Sequence, residues 1–339
     1  MSGAAYRAAV VGCGRIGVTM EEDPRRARPA THAGAYRDCP HTELCAVMDV
    51  EPTRLAHAGR LFPEARPFTS VEAMLDGAAP DIVSVATPPD QHRPVVEACA
   101  RRGVRAVICE KPIAHSAEDG RAIVRACAAA GTLLLINHTR RFDPLLGRLR
   151  GEIVAGSLGD VMQATAYYTA GLFNSASHMV DLMRFFLGDV AWVMAAANAA
   201  ASHPPDDLSV DALLGFTSGA RGVLQVQDVK DYAIFTLRLH GRAGVVVIDR
   251  FGFEIERVPV RDAIEWSGYK ELDPSGARRY GGARSFMGPM VAHVVACLQA
   301  GEAPLSRGED GLAALEVLLA IAESANADGR RIDLGSQRG

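Results

Sequence analysis

Along the first 140 residues, short apolar runs alternate with segments of helical period. The runs at 7–12 (RAAVVG), 42–50 (TELCAVMDV), 81–87 (DIVSVAT), 104–110 (VRAVICE) and 132–139 (TLLLINHT) carry few polar interruptions. Strands read this way when helices cover both faces of a parallel sheet. Between them, 52–62, 70–77, 92–103 and 117–131 space their apolar residues as helices do. Repeated βα units with short links predict right-handed crossovers and a doubly wound sheet over residues 1–139. The rhythm changes after RRFDPLLGRLRGEIVAG (140–156). In YAIFTLRLHG (232–241), Ala233, Phe235, Leu237 and Leu239 fall on one face and Thr236, Arg238 and His240 on the other. That period of two predicts an antiparallel sheet with one covered face. A helix after His178 interrupts the region, 201–208 and 273–282 read as loops, and helices at 284–300 and 309–327 close the chain. The second domain is therefore expected over 140–333.

The length of 339 residues fits two domains. Hydrophobic and charged contents of 48% and 22% are those of an ordinary globular protein. A net charge of −4 argues against nucleic acid or an anionic membrane surface as the main partner. No apolar run approaches the roughly 20 residues that cross a bilayer, and the first residues run straight into a strand without signal-peptide pattern. Seven cysteines, an odd number with no C-x-x-C, predict reduced and mostly buried thiols in a cytoplasm. The ten histidines show no metal-binding spacing, so no metal is expected.

VVGCGRIG places Gly12, Gly14 and Gly17 in the G-x-G-x-x-G spacing, directly after the first strand and ahead of an expected helix. That context is what a dinucleotide site requires. Gly12 permits the turn, Gly14 lets a pyrophosphate approach the backbone, and Gly17 lets the helix pack close; Arg15 and Ile16 lie between them. Asp49, ending the second strand, can accept hydrogen bonds from a ribose and would repel a 2′-phosphate, so NAD is expected, with NADP as the alternative. The distance from Gly17 to Asp49 exceeds the usual ~20 residues by the length of TMEEDPRRARPATHAGAY. Its Arg25, Arg26 and Arg28 read as a solvated loop, the other reading being that they, like Arg15, reach a phosphate of the substrate or cofactor.

GLFNSASHMVDLMRFFLGD (171–189) combines a large apolar face with Asn174, His178 and Asp181 at its start, a polar edge that a core helix does not need. Together with VVGCGRIG, ATPPDQH (86–92) and ICEKPIAH around Glu110-Lys111-Pro112, it resembles the Gfo/Idh/MocA oxidoreductase family over nearly the whole chain. The resemblance implies a Rossmann domain followed by an α+β domain with a large open, mostly antiparallel sheet, and a substrate held between them against a nicotinamide ring. It implies cofactor contacts from Thr87, Pro88, His92, Glu110 and Lys111 beside the glycine loop. Lys111 would hold the reacting oxygen as a positioned cation, and His178 would exchange its proton, as an imidazole with a pKa near 6.5 can.

One branch of the family carries Asp four residues before the His; this chain has Asn174, which orients but cannot take a proton. Asn at this position also resembles nucleotide-sugar dehydrogenases. Arg140, Arg141 and Tyr232 are further candidate substrate contacts by the same resemblance, an ion pair between domains being the other reading of the arginines. Asp181, one turn past His178, is a candidate for the substrate site as the partner of that His, or binds backbone or a neighbouring Arg. The expectation is a dehydrogenase or reductase moving hydride between nicotinamide and a secondary alcohol carbon of a sugar, nucleotide sugar or cyclic polyol. The alternatives are a non-catalytic NAD(P)-binding regulator on the same fold and an NAD-dependent glycosidase. The second sheet is expected to pair subunits into a homodimer or homotetramer.

Overall fold

The computed structural model describes residues 5–201 and 207–335. The described residues form two compact units. The first takes residues 1–143 and 283–315, and the second takes 144–282 and 316–339. The sequence pattern, read as continuous stretches, did not assign 283–315 to the first unit.

The first unit holds six parallel strands: β1 (Tyr6–Val11), β2 (Thr42–Met48), β3 (Arg66–Phe68), β4 (Ile82–Val85), β5 (Ala106–Cys109) and β6 (Leu133–Ile136). Their order is β3-β2-β1-β4-β5-β6. Helices α1 (His32–Asp38), α2 (Pro52–Leu61), α3 (Val71–Ala78), α4 (His92–Arg101) and α5 (Ala117–Ala130) connect them. The apolar runs are buried as expected, with Ala8, Val10, Ile82, Val83, Ala106 and Val107 fully enclosed. Side-chain hydroxyls start three of these helices, Thr31 capping α1, Ser70 capping α3 and Ser116 capping α5. Strand β3 had not been predicted; its three residues are too few and too polar to show a pattern.

The glycine loop differs from expectation. It leads into a single turn and a short 3-10 helix at Thr19–Glu22, and α1 begins only at His32. The amides of His32 and Ala33 donate to the carbonyls of Ile16 and Gly17, at 3.1 Å each. The segment between them is thus looped out of what is otherwise one helical path. Pro24 and Pro29 explain the break, since proline cannot continue the ladder. The loop is anchored by Glu21, buried at 5% exposure, whose carboxylate accepts from Ala30 N (2.9 Å) and Thr31 Oγ1 (2.8 Å).

The second unit begins with α6 (Pro144–Val154), then β7 (Val161–Tyr168), α7 (Ser177–Leu187) and β8 (Val190–Ala197). Strands β9 (Val210–Phe216), β10 (Arg221–Val226), β11 (Thr236–Gly241), β12 (Gly244–Asp249), β13 (Glu254–Asp262), β14 (Lys270–Leu272) and β15 (Arg278–Gly281) follow. Helix α8 (Met287–Ala300) belongs to the first unit, where Met290, Val291 and Val294 join the buried core beside Tyr36. The division between the units falls inside α9 (Gly308–Asn326), and β16 (Ile332–Asp333) closes the chain. The larger sheet has ten strands among the described residues, in the order β14-β13-β12-β11-β7-β10-β9-β8-β16, with β15 beside β13. Of these pairings only β7 with β10 is parallel. The fold class is therefore α/β: a doubly wound parallel sheet plus an α+β unit with a mostly antiparallel sheet.

The alternation in β11 holds, with Leu237 and Leu239 fully buried and Arg238 exposed. The strand starts later than expected, however. Tyr232 and Ala233 lie in the loop before it, where Asp228 accepts the Lys230 amide and closes a turn. The expected loop at 273–282 contains β15, and the one at 201–208 lies mostly outside the described residues.

Tyr168 ties two strands together. Its hydroxyl donates to the Val210 carbonyl (2.8 Å) and accepts the Val210 amide (3.1 Å) within the core. Replacing Tyr168 by Phe leaves both backbone groups buried and unpaired, which costs roughly 1–3 kcal/mol. Thermal denaturation followed by circular dichroism should show a clear fall in Tm for Y168F; an unchanged Tm would show the bond to be dispensable.

Candidate functional site

In an open α/β sheet, ligands bind beyond the carboxyl ends of the strands, where the strand order reverses. Here that point lies between β1 and β4. A cavity of about 600 Å³ opens there, lined by Gly12, Gly14, Arg15, Asp49, Thr87 and Pro88 among others. Six of the residues read as cofactor contacts are thus brought together. Ile16, Gly17, His92, Glu110 and Lys111 do not line it.

The glycines divide by what a side chain would meet. At Gly12, with φ +100°, a Cβ would lie 2.6 Å from the Ala86 carbonyl oxygen. At Gly17 it would run into the carbonyl oxygen of Gly12. Both are glycines because the protein's own backbone fills the space. At Gly14 a Cβ would meet no atom within 4 Å. Nothing in the protein requires a glycine there, whereas a pyrophosphate lying on the backbone does. Thr87 adds a second sign of a ligand: its Oγ1 is buried at the cavity without a hydrogen-bond partner. A dinucleotide therefore fits the residues present.

Asp49 is only 4% exposed. Its carboxylate accepts the amides of Cys13 (2.8 Å) and Glu51 (2.9 Å), so it braces the glycine loop as well as facing the cavity. Arg54, which the sequence reading missed, lines the same cavity 3.8 Å from Asp49. Its position at the start of α2, just past the acidic strand end, was the available signal. Burial, reinforced by the charge of Asp49, pushes the Cys13 thiol up to about 12. Thiolate chemistry is thus suppressed beside the cofactor cavity.

His92 is fully buried. Its ring nitrogens face the carbonyls of Thr87 (2.9 Å, Nε2) and Ile113 (3.1 Å, Nδ1). Burial lowers its pKa, although both carbonyls favour the charged ring. Either way the ring is spent on backbone, and it joins the loop carrying Thr87 to the loop after Pro112.

Glu110 is the centre of a buried network. Its Oε1 accepts from His32 Nε2 (2.9 Å) and Asn137 Nδ2 (2.6 Å), and its Oε2 accepts the backbone amide of Lys111 (3.3 Å). Burial pushes its carboxyl up, but the hydrogen bond and charge of His32, the Asn137 bond and the Lys111 charge prevail and hold it below the usual range. Lys111 is half-buried at the end of β5, on the same edge of the sheet as the cavity.

Arg141 is 7% exposed, and its guanidinium is held by the Leu305 carbonyl (3.0 Å) and Asp310 (3.3 Å) within the first unit. Of the two readings given for it, a substrate contact or an ion pair, the structure shows an ion pair, made within the first unit. Arg140 is half-buried in the 3-10 turn at Thr139–Phe142.

In the second unit, the polar edge seen in the sequence is one turn of π-helix, Gly171–Ala176, leading into α7. Such turns recur at functional sites. Asp207 holds it from outside, accepting the amides of Phe173 (2.9 Å) and Asn174 (3.1 Å). Asn174 is exposed, His178 half-buried and Asp181 only 2% exposed. Asp181 therefore lies within the protein rather than at a surface open to substrate. Tyr232, 56% exposed in its loop, is not on the strand where it was expected.

A doubly wound sheet with a glycine cradle and an acidic residue ending β2 defines a dinucleotide-binding protein of the oxidoreductase type. Residues 6–138 match the model of the oxidoreductase family with an NAD-binding Rossmann fold, and residues 162–247 match the C-terminal domain model of the same group. The chain belongs to the Gfo/Idh/MocA oxidoreductase family. It is 26% identical to a D-apiose dehydrogenase of Paraburkholderia graminis, over 98% of this chain and 90% of that protein. It is 30% identical to an inositol 2-dehydrogenase of Acidothermus cellulolyticus, over 71% of this chain and 70% of that one. Among solved structures it resembles the WlbA dehydrogenase of Bordetella pertussis in complex with NADH and UDP-GlcNAcA, with a TM-score of 0.77 and 26% identity over 98% and 99% of the two chains.

The contrast between glycines is testable. Gly14→Val should fold, because its side chain enters open space, yet weaken NADH binding at least about tenfold, roughly 1.4 kcal/mol. A fluorescence titration with NADH reads this, and an unchanged Kd would mean that the dinucleotide does not cross Gly14.

Proposed function

We propose that the protein is an NAD(P)-dependent dehydrogenase acting on a secondary alcohol carbon of a sugar, nucleotide sugar or cyclic polyol. The observation that carries this reading is the cradle at the β1–β4 switch point, open at Gly14 and Thr87, with Lys111 on the same sheet edge. The bound nicotinamide supplies the hydride acceptor or donor. Lys111 holds the substrate oxygen and favours the negative charge that grows there during reduction. His178 takes the hydroxyl proton in the oxidative direction and returns it in the other. Asn174, on the exposed face of the π-turn, orients substrate or imidazole without exchanging protons. Arg140 is a further candidate for substrate contact.

The named relatives support the substrate class. Two act on apiose or inositol, and the WlbA structure carries a UDP-sugar. Asn174 in place of an acidic residue leans the reading towards activated sugars. Asp49 supports NAD over NADP, because its carboxylate borders the cavity.

The same reading extends to assembly. Met194, Leu213 and Val223 sit opposite one another across β8, β9 and β10. Met194 and Leu213 are 40% and 37% exposed. This apolar row supports self-association through the sheet face, as a homodimer or homotetramer. The seven free thiols suit a reducing compartment such as the cytoplasm.

The deciding experiment incubates the protein with NAD or NADP and a panel of inositols, apiose and UDP-sugars while following reduced nicotinamide by its fluorescence. Turnover of at least one member is expected. Lys111→Ala and His178→Ala should each lower kcat about 10²–10⁴-fold with little change in NADH affinity. Tight NADH binding with no turnover on any sugar would favour the regulator. Release of a free sugar from a glycoside without net NADH would favour the glycosidase.

A further inference from the structure

His32, at the start of α1, and Asn137, after β6, were not singled out by the sequence, yet both meet at Glu110. The contact spans 78 residues on one side and 27 on the other. Every member of the network is enclosed. His32, Ser84 and Tyr36 are fully buried, Asn137 is 1% and Glu110 8% exposed.

The hydrogen bonds form one continuous chain. With Glu110 ionised, Nε2 of His32 must carry a proton and donate to it. The far nitrogen, Nδ1, lies 2.9 Å from the Ser84 hydroxyl, which lies 2.7 Å from the Tyr36 hydroxyl. Nδ1 of His32 and the Ser84 and Tyr36 hydroxyls thus form a continuous chain in which each polar atom has a partner. Asn137 is fixed in the same way: turning its amide over would set its oxygen 2.6 Å from the carboxylate, acceptor against acceptor. The carboxylate cannot rotate, and its remaining oxygen is presented to the backbone amide of Lys111.

We propose that His32 is a positioning residue for Lys111: with Asn137 it locks the Glu110 carboxylate, which in turn pins the backbone from which the Lys111 side chain extends. This rests on the reading of Lys111 as the residue that holds the reacting oxygen. The charged and titratable groups facing Glu110 are His32 from α1, Lys111 and Cys109 on its own strand end, and His92 from α4; Asn137 faces it as a neutral donor. Without His32, burial is opposed only by the Asn137 bond and the Lys111 charge, and the carboxyl moves towards the protonated form. A protonated Glu110 no longer needs the Asn137 or Lys111 amide as its partner, and the anchor loosens.

The sign follows. In the wild type the folded pKa of Glu110 is depressed, so the network contributes stability above the unfolded value of about 4.3 and loses it as pH falls through the folded value. In His32→Phe the folded value rises, and the loosened state extends to higher pH.

The test is a ¹³C NMR titration of the full-length protein labelled at glutamate carboxyls, without substrate or cofactor, with the Glu110 resonance assigned through E110Q. In H32F its titration step should move up by about one to three pH units. H32Q, which keeps a donor directed at Glu110, should titrate as the wild type does. N137L, close in shape to asparagine, should shift the step in the same direction as H32F and decides the matter if H32F does not fold. With any sugar that is turned over, the acid limb of kcat should move up in H32F by the same amount, while KM for NAD stays unchanged. A folded H32F or N137L that titrates like the wild type overturns the proposal. Because the titration needs no turnover, it is decided independently of the Lys111 reading, which instead fails if K111A leaves the rate unaltered.

Discussion

No side chain fits at position 17, and much of the first unit follows from that. A Cβ there would strike the carbonyl of Gly12, so the glycine loop lies flat against the end of β1. Its carbonyls at Ile16 and Gly17 then receive the first amides of α1. The helix is docked on the loop rather than continuous with it, and the connection between them is free to bulge out. That docking sets His32 against Glu110, and Glu110 against the backbone of Lys111. A backbone contact made possible by a missing methyl group thus links the dinucleotide cradle to the lysine.

The same network shows why arrangement alone does not assign chemistry. Ser84, His32 and Glu110 are spaced as a hydroxyl–imidazole–carboxylate relay, at 2.9 Å for each link. On distances it resembles the nucleophilic triads of hydrolases. Burial removes that reading, since Ser84 has no exposed surface and its oxygen also contacts Tyr36. A nucleophile must reach a substrate; this hydroxyl reaches only other side chains. Its relevance lies in holding a buried carboxylate charged, a state that costs several kcal/mol without partners.

Residues of the candidate site were legible in the sequence where the information was local. Gly12, Gly14, Asp49, Thr87 and Pro88 follow strand ends, and strand ends converge at the switch point of a doubly wound sheet. Arg54 was missed although it stands only a few residues past Asp49. For Arg141 a substrate contact and an ion pair were both open, but its partner Asp310 could not be foreseen, because it lies on a helix near the other end of the chain. Asp207 escaped notice for a related reason: it holds the turn before His178 from a loop 33 residues away.

The pattern of apolar and polar residues by itself determined five of the six strands of the parallel sheet and helices α2 to α5 to within a few residues, and the alternation of the second sheet. Periodicity records which side of an element meets a core, and that is a local property. The glycine spacing likewise expressed a backbone constraint carried by the motif itself. The tertiary structure alone decided that 283–315 belongs with the first unit, that α1 is interrupted and docked, and which donors surround Glu110. Those outcomes depend on pairing between segments far apart in the chain. A buried carboxylate takes its partners from whatever elements packing brings beside it, and no spacing along the sequence encodes that neighbourhood.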